Sequence, residues 1–191
     1  MRSELFNKIA EYTKSVVNKS RFEHSMRTAE TLALLCKNYG LDEEKAYVAG
    51  IAHDMCKDLT DDELLNLASK DGKPISQMEK EMPFLLHGRA AAVEIQDRFG
   101  VTDGEIIDAI RNHTFGSASS SDFALLLFVA DKIEPGRPQS TDEYRSRLLA
   151  LPLKECVLSV LEENIEYLED KGKTVAEESL ALRDKLKKDI I

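Results

Sequence analysis

The stretch Ala46-Tyr47-Val48-Ala49-Gly50-Ile51-Ala52-His53-Asp54 decides the fold. Its small apolar residues form a helix face with too little bulk for anything but burial against other helices. It then ends on an imidazole and a carboxylate, two groups that burial alone disfavours. Adjacent residues on an ideal helix diverge by about 100°, so joint use of His53 and Asp54 implies a helix end or a close neighbour.

The helical period extends outward in both directions. Upstream, Leu5, Ile9 and Tyr12 begin an amphipathic helix that ends near Asn18, and Ser20-Arg21-Phe22-Glu23 has the form of a capping box for the next helix. His24 falls in the second turn of that helix, whose apolar face (Met26, Ala29, Leu32, Ala33, Cys36) runs to a closing Gly40. Asp42 is positioned to cap the helix that delivers His53. Downstream, Thr60-Asp61-Asp62-Glu63 is a second capping box, and Asp71-Gly72-Lys73-Pro74 a stop. The segment around Pro74 and Pro83 reads as a loop with one short turn. A long helix is expected from near Phe84 through His87 to Gly100, and another from an Asp103 cap toward His113. Gly116 to Ser121 is a polar break, and Phe123 to Ile133 is almost wholly apolar except for Asp131. Two or three amphipathic helices follow Ser140. No segment alternates with period two, so the expected class is all-α: one bundle of roughly nine helices, with residues 1–191 as a single domain.

Composition narrows the function. With 26 Lys and Arg against 35 Asp and Glu, the net charge of -9 disfavours a nucleic-acid polymer, whose binding depends on many cations and counterion release. A small phosphate ester needs only a local cluster of cations and a metal. Cys36, Cys56 and Cys156 are odd in number and lack C-x-x-C spacing, which points to reduced thiols, not to a disulfide framework or a cysteine zinc site. The amino terminus runs straight into a charged amphipathic segment, and no stretch approaches about 18 uncharged apolar residues. A soluble, cytoplasmic protein without a membrane partner is expected.

All four histidines belong to one ordered series, His24, His53-Asp54, His87, His113 and then Asp131. Imidazoles and carboxylates in such an order can wrap several helices round a cation that activates water. Each member also has a plain reading: His24 as a half-buried helix residue, Asp54 as a loop acid, His87 and His113 as partners of backbone carbonyls, Asp131 as a helix-end partner of Lys132 or Arg137. Those readings leave two facts unexplained. One is that His53-Asp54 ends an apolar helix; the other is that an isolated acid breaks the most apolar helix in the chain.

The order His24, His53-Asp54, Asp131 in an all-helical chain resembles the HD-domain metal-dependent phosphohydrolases, over roughly residues 17 to 140. Five blocks are more narrowly similar to the bacterial YqeK group: R-F-E-H-S at Arg21 to Ser25, A-H-D-x-x-K-D at Ala52 to Asp58, L-x-H-G at Leu85 to Gly88, N-H-T at Asn112 to Thr114, and A-D-K-I-E-P-x-R at Ala130 to Arg137. That group hydrolyses diadenosine tetraphosphate symmetrically to two ADP. The resemblance implies iron, with manganese or magnesium as alternatives, ligated by His24, His53, Asp54 and Asp131. It also implies that His53, His87, His113, Thr114, Arg137 and Arg21 surround the phosphates of a small-molecule nucleotide.

The donor set makes chemical sense of that division, since imidazole and carboxylate suit iron or manganese and no thiolate is present for structural zinc. Asp54, Lys57, His87 and His113 are the candidate catalytic groups. Two readings stand for Lys57: a phosphate-neutralising cation, or a salt bridge to Asp58 or Asp54. Two stand for His87 and His113: contacts to phosphate, or ligands of a second metal. Other nucleotide phosphohydrolases and a non-catalytic nucleotide sensor are the rival functions. A cyclic-dinucleotide phosphodiesterase fits poorly, since its family carries consecutive histidines and a Gly-Tyr-Pro motif absent here. The helices beyond Ser140 could complete the core or form a homodimer interface.

Overall fold

The computed structural model describes residues 3–190. Among them are eleven α-helices, one 3-10 turn and no strand. The class is the all-helical one expected, and the count exceeds the roughly nine anticipated because one short helix forms where a loop was expected and three helices follow Ser140.

In chain order the helices are α1 (Glu4–Val16), α2 (Lys19–Tyr39), α3 (Glu43–Ala52), α4 (Asp61–Ser69), α5 (Gln77–Glu81), α6 (His87–Phe99), α7 (Gly104–Asn112), α8 (Asp122–Ile133), α9 (Asp142–Leu149), α10 (Leu153–Asp170) and α11 (Glu177–Ile190), with the 3-10 turn at Pro83–Leu86. Local chemistry sets most boundaries. Asp42 and Asp103 each accept two backbone N–H bonds at the starts of α3 and α7, and Thr60 with Glu63 closes the capping box of α4. Gly40 ends α2 in the left-handed conformation at φ 73°.

Two boundaries differ from the sequence expectation. Asn18, not Ser20, caps α2: its side chain accepts from the Arg21 N–H at 3.0 Å. Asn18 wins because its own backbone N–H and side-chain amide both donate to the Asp58 carboxylate, at 2.9 and 2.8 Å. The helix expected from Phe84 begins instead at His87, and Pro83 opens the separate 3-10 turn before it.

The core is built round α2, α3 and α8. Helices α2 and α3 form the tightest pair, because Gly50 on α3 faces the Ala29 backbone on α2 with no room for a side chain. Helix α8 is buried at Phe123 through Ala130 and at Ile133, and packs against α2, α3, α7 and α10. All three cysteines are buried and free. Among the described residues, no helix is long and apolar enough to cross a membrane.

Candidate metal centre

Four helix segments deliver four imidazoles to one place. His24 sits in the second turn of α2, His53 and His113 are the C-cap residues of α3 and α7, and His87 is the first residue of α6. Each is buried, at 8% exposure or less.

Backbone carbonyls fix the tautomers of three of them. Nδ1 of His53, His87 and His113 lies 2.7 Å from the carbonyl oxygen of Gly50, Phe84 and Ile110, each three residues earlier. An acceptor at that distance requires N–H on Nδ1, so the neutral ring keeps its lone pair on Nε2. His24 is held differently: its Nδ1 faces Glu134 Oε1 at 3.1 Å, and Glu134 is itself gripped by Arg27 Nε at 2.5 Å.

The Nε2 atoms then converge. His24 and His53 Nε2 are 3.2 Å apart, and His87 and His113 Nε2 are 3.0 Å apart. Asp131 Oδ1 lies 3.0 Å from His24 Nε2 and 3.7 Å from His53 Nε2. Asp54 spans both pairs: Oδ2 is 3.9 Å from the Nε2 atoms of His24 and His53, while Oδ1 is 3.1 Å from His87 and 3.7 Å from His113.

Facing lone pairs and two carboxylates repel one another unless a positive charge lies among them. Ligands about 2.1 Å from one cation stand about 3.0–3.4 Å from their neighbours, close to the spacing seen round His24, His53 and Asp131. Two groups could hold a metal ion, one of His24, His53 and Asp131, the other of His53, Asp54 and His113. The donor set therefore fits a divalent cation of imidazole and carboxylate preference.

Burial and partners set the protonation states. Burial pushes His113 down to about 3 and lowers His87, so both are neutral rings. Burial also works against charging His24, yet the bonds to Asp131 and Glu134 raise its pKa above the ordinary value. Burial opposes ionisation of Asp54 and Asp131, but the surrounding imidazoles, and Lys132 beside Asp131, hold both well below the usual carboxylate range.

A ring of cations shares this space. Arg21 Nη1 meets Asp54 Oδ2 at 2.9 Å, and Arg137 clamps Asp131 through its backbone carbonyl at 2.8 Å and its Oδ1 at 2.7 Å. Lys132 Nζ lies 3.4 Å from Asp131 Oδ2. Lys57 Nζ faces the His87 ring, 3.1 and 3.0 Å from its two nitrogens and 4.0 Å from Asp54 Oδ1. Asp58 does not hold Lys57; it turns to Asn18 and to Arg21 Nε. Thr114 Oγ1 stands 3.4 Å from His87 Nε2.

All four cations, with Asp54, Asp131, His87, His113 and Thr114, line one cavity of about 1250 Å³. The far walls of this cavity were not anticipated. One comes from Met78, Met82 and Phe84, the other from α10 and the loop after it, with Glu163, Tyr167, Lys173 and Thr174. Sequence reasoning also passed over Glu134, although it lies one helical turn beyond Asp131.

The profile of the HD domain matches residues 21–136. A protein of Halalkalibacterium halodurans named bis(5'-nucleosyl)-tetraphosphatase, symmetrical, is 29% identical over 94% of this chain and 95% of its own length. A Mycoplasma genitalium protein, named probable nicotinate-nucleotide adenylyltransferase/Ap4A hydrolase, is 35% identical over 66% of this chain, which spans only 35% of that protein's length. A crystal structure from Clostridium acetobutylicum, of a protein described as a predicted HD superfamily hydrolase involved in NAD metabolism, superposes with a TM-score of 0.89. It is 26% identical and covers 96% of this chain and 97% of its own. The profile match covers more than half of the chain and contains all six converging histidines and aspartates, so the chain belongs to the HD domain family.

Proposed function

We propose that the protein hydrolyses diadenosine tetraphosphate symmetrically to two ADP, using a divalent cation held by His24, His53, Asp54 and Asp131. The observation that carries this reading is the concentration of Arg21, Lys57, Lys132 and Arg137 in one cavity of a chain whose net charge is -9. Such a cluster suits a polyphosphate. The names of the similar proteins from Halalkalibacterium halodurans and Mycoplasma genitalium support the same substrate.

His24, His53, Asp54 and Asp131 would hold the cation, iron in this reading, which would supply Lewis acidity and lower the pKa of a water molecule toward neutrality. The chain's own groups do the rest. Arg137 and Lys132 neutralise one side of the polyphosphate, while Arg21 and Lys57 neutralise the other. Thr114 orients a non-reacting phosphoryl oxygen by donating its hydroxyl proton, while His113, neutral and with its N–H held by the Ile110 carbonyl, turns the Nε2 lone pair toward His87. Lys57 and His87 stand as a pair from which a proton can reach the departing bridging oxygen. Water oxygen bonds to one of the two central phosphorus atoms, the bridge between them breaks, and that bridging oxygen leaves on the second ADP. The positive charge of Lys57 against His87 favours a single cation over a second one at the His87 and His113 pair.

In this reading residues 1–191 act as one unit. Helix α10 closes the cavity, which leaves a homodimer unnecessary for a complete site. Metal-reconstituted protein incubated with diadenosine tetraphosphate tests the proposal by product separation. ADP as sole product supports it. AMP with ATP, or tight binding without turnover, refutes it. NAD, a dinucleotide with a single phosphoanhydride bridge, is expected to remain intact.

A further inference from the structure

The cavity has two unlike ends beyond the metal ligands. On one side the 3-10 turn packs against α4, α5 and α6; on the other α10 packs against α8, α9 and α11. Each side presents one exposed aromatic ring to the cavity: Phe84 at 51% exposure and Tyr167 at 55%. A large aromatic left half in water on a cavity wall is a platform awaiting a flat partner.

Their neighbours differ. Tyr167 shares its wall with Asn164 and Thr174, whose polar groups can read the edge of a base, and with Glu163, which is held by Tyr144 and Arg147. Phe84 shares its wall with Met78 and Met82, which offer apolar, polarisable surface and no edge-reading group. The Phe84 wall is also held rigid. Arg89, itself buried, bonds Asp71 at 2.9 and 2.8 Å, Glu79 at 3.1 Å and the carbonyls of Lys73 and Pro74 at 2.8 and 3.1 Å, pinning the strap that carries Met78. A strap fixed this firmly keeps its apolar face open instead of collapsing onto the ring.

Resting on the dinucleoside polyphosphate reading above, we infer that Phe84, with Met78 and Met82, is the stacking platform for the second nucleobase. It accepts any base, while the Tyr167 wall takes the base that is read. The cavity volume of about 1250 Å³ exceeds the roughly 300–1000 Å³ of a single drug-sized ligand, so it has room for both halves. The site thus selects strictly at one end of a dinucleoside tetraphosphate and loosely at the other.

The test compares diadenosine tetraphosphate with adenosine 5'-tetraphosphate, which has no second base. In Phe84→Ala, kcat/KM for the dinucleotide should fall about ten- to hundredfold, the loss of one stacked base, with adenosine tetraphosphate cleavage and metal content unchanged. Phe84→Leu, which keeps apolar bulk without a π-face, should show the same selective loss, and Phe84→Trp should restore activity. Equal loss on both substrates, or no loss on either, overturns the platform. Failure of the wild type to cleave the dinucleotide at all would instead sink the functional proposal, which separates the two failures.

Discussion

Replacing Gly50 by alanine should damage both stability and metal binding, against the intrinsic preference of helices. Alanine inside a helix is favoured over glycine by about 1 kcal/mol. Here, however, an added Cβ would stand 2.4 Å from the Ala29 Cα, 2.8 Å from its N and 2.9 Å from its Cβ. Carbon atoms rest about 3.5–4.0 Å apart, and the offending atoms are backbone, so no rotamer change relieves the clash. Helices α2 and α3 must separate by about 1 Å. Overpacking of this kind costs roughly 1–3 kcal/mol, and the upper end applies where backbone must move. After the propensity gain, the net loss is about 1–2 kcal/mol, or roughly 2–8 °C of melting temperature for a chain of 191 residues. The same displacement separates His24 on α2 from His53 on α3, whose Nε2 atoms stand 3.2 Å apart. Disturbing the support of metal ligands in this way typically costs about 10- to 100-fold in metal affinity. Thermal unfolding of the metal-free protein and chelator competition with the loaded protein measure the two effects separately. A variant melting within about 1 °C of the wild type, with unaltered metal affinity, would show that the pair yields without cost and refute the reasoning.

Two further perturbations probe the ligands and their support. Burial opposes ionisation of the Glu134 carboxyl, but His24, Arg27 and the Gly136 N–H hold it down at about 2, against an ordinary 4.5. Its contribution to stability is therefore present above pH 4.5 and is lost as the pH falls toward 2. In urea titrations the gap between the wild type and Glu134→Gln should be about 2–3 kcal/mol at pH 6 and shrink steadily below pH 4.5; a gap that stays constant down to pH 3 contradicts this assignment. Asp131→Ala should lose bound metal and activity together while keeping its helical far-UV spectrum, and full metal stoichiometry in that variant would remove Asp131 from the ligand set.

Helical class and most caps were legible because they rest on near neighbours in sequence. Asp42, Thr60 and Asp103 cap whatever helix follows them, wherever that helix packs. The start of α2 was misread for the opposite reason. Ser20 and Asn18 are both competent caps, and the choice is made by Asp58, 40 residues away in sequence. The order of histidines and aspartates gives a chemical inventory, but distances and tautomers come only with packing. Glu134 hid in plain sight, its role depending on α2 lying beside the end of α8. The cavity walls were illegible for a similar reason. Phe84 and Tyr167 carry ordinary apolar patterns, and only the docking of α10 turns both toward one space.

Three of the four imidazoles hang from backbone carbonyls three residues earlier, an anchor that no side-chain substitution removes. His24 alone relies on a borrowed carboxylate. Among the four imidazoles, His24 is therefore the one whose orientation a substitution at residue 134, or at its arginine anchor, can retune. Variation among related chains at those two positions would act as a dial on how tightly the ion is kept.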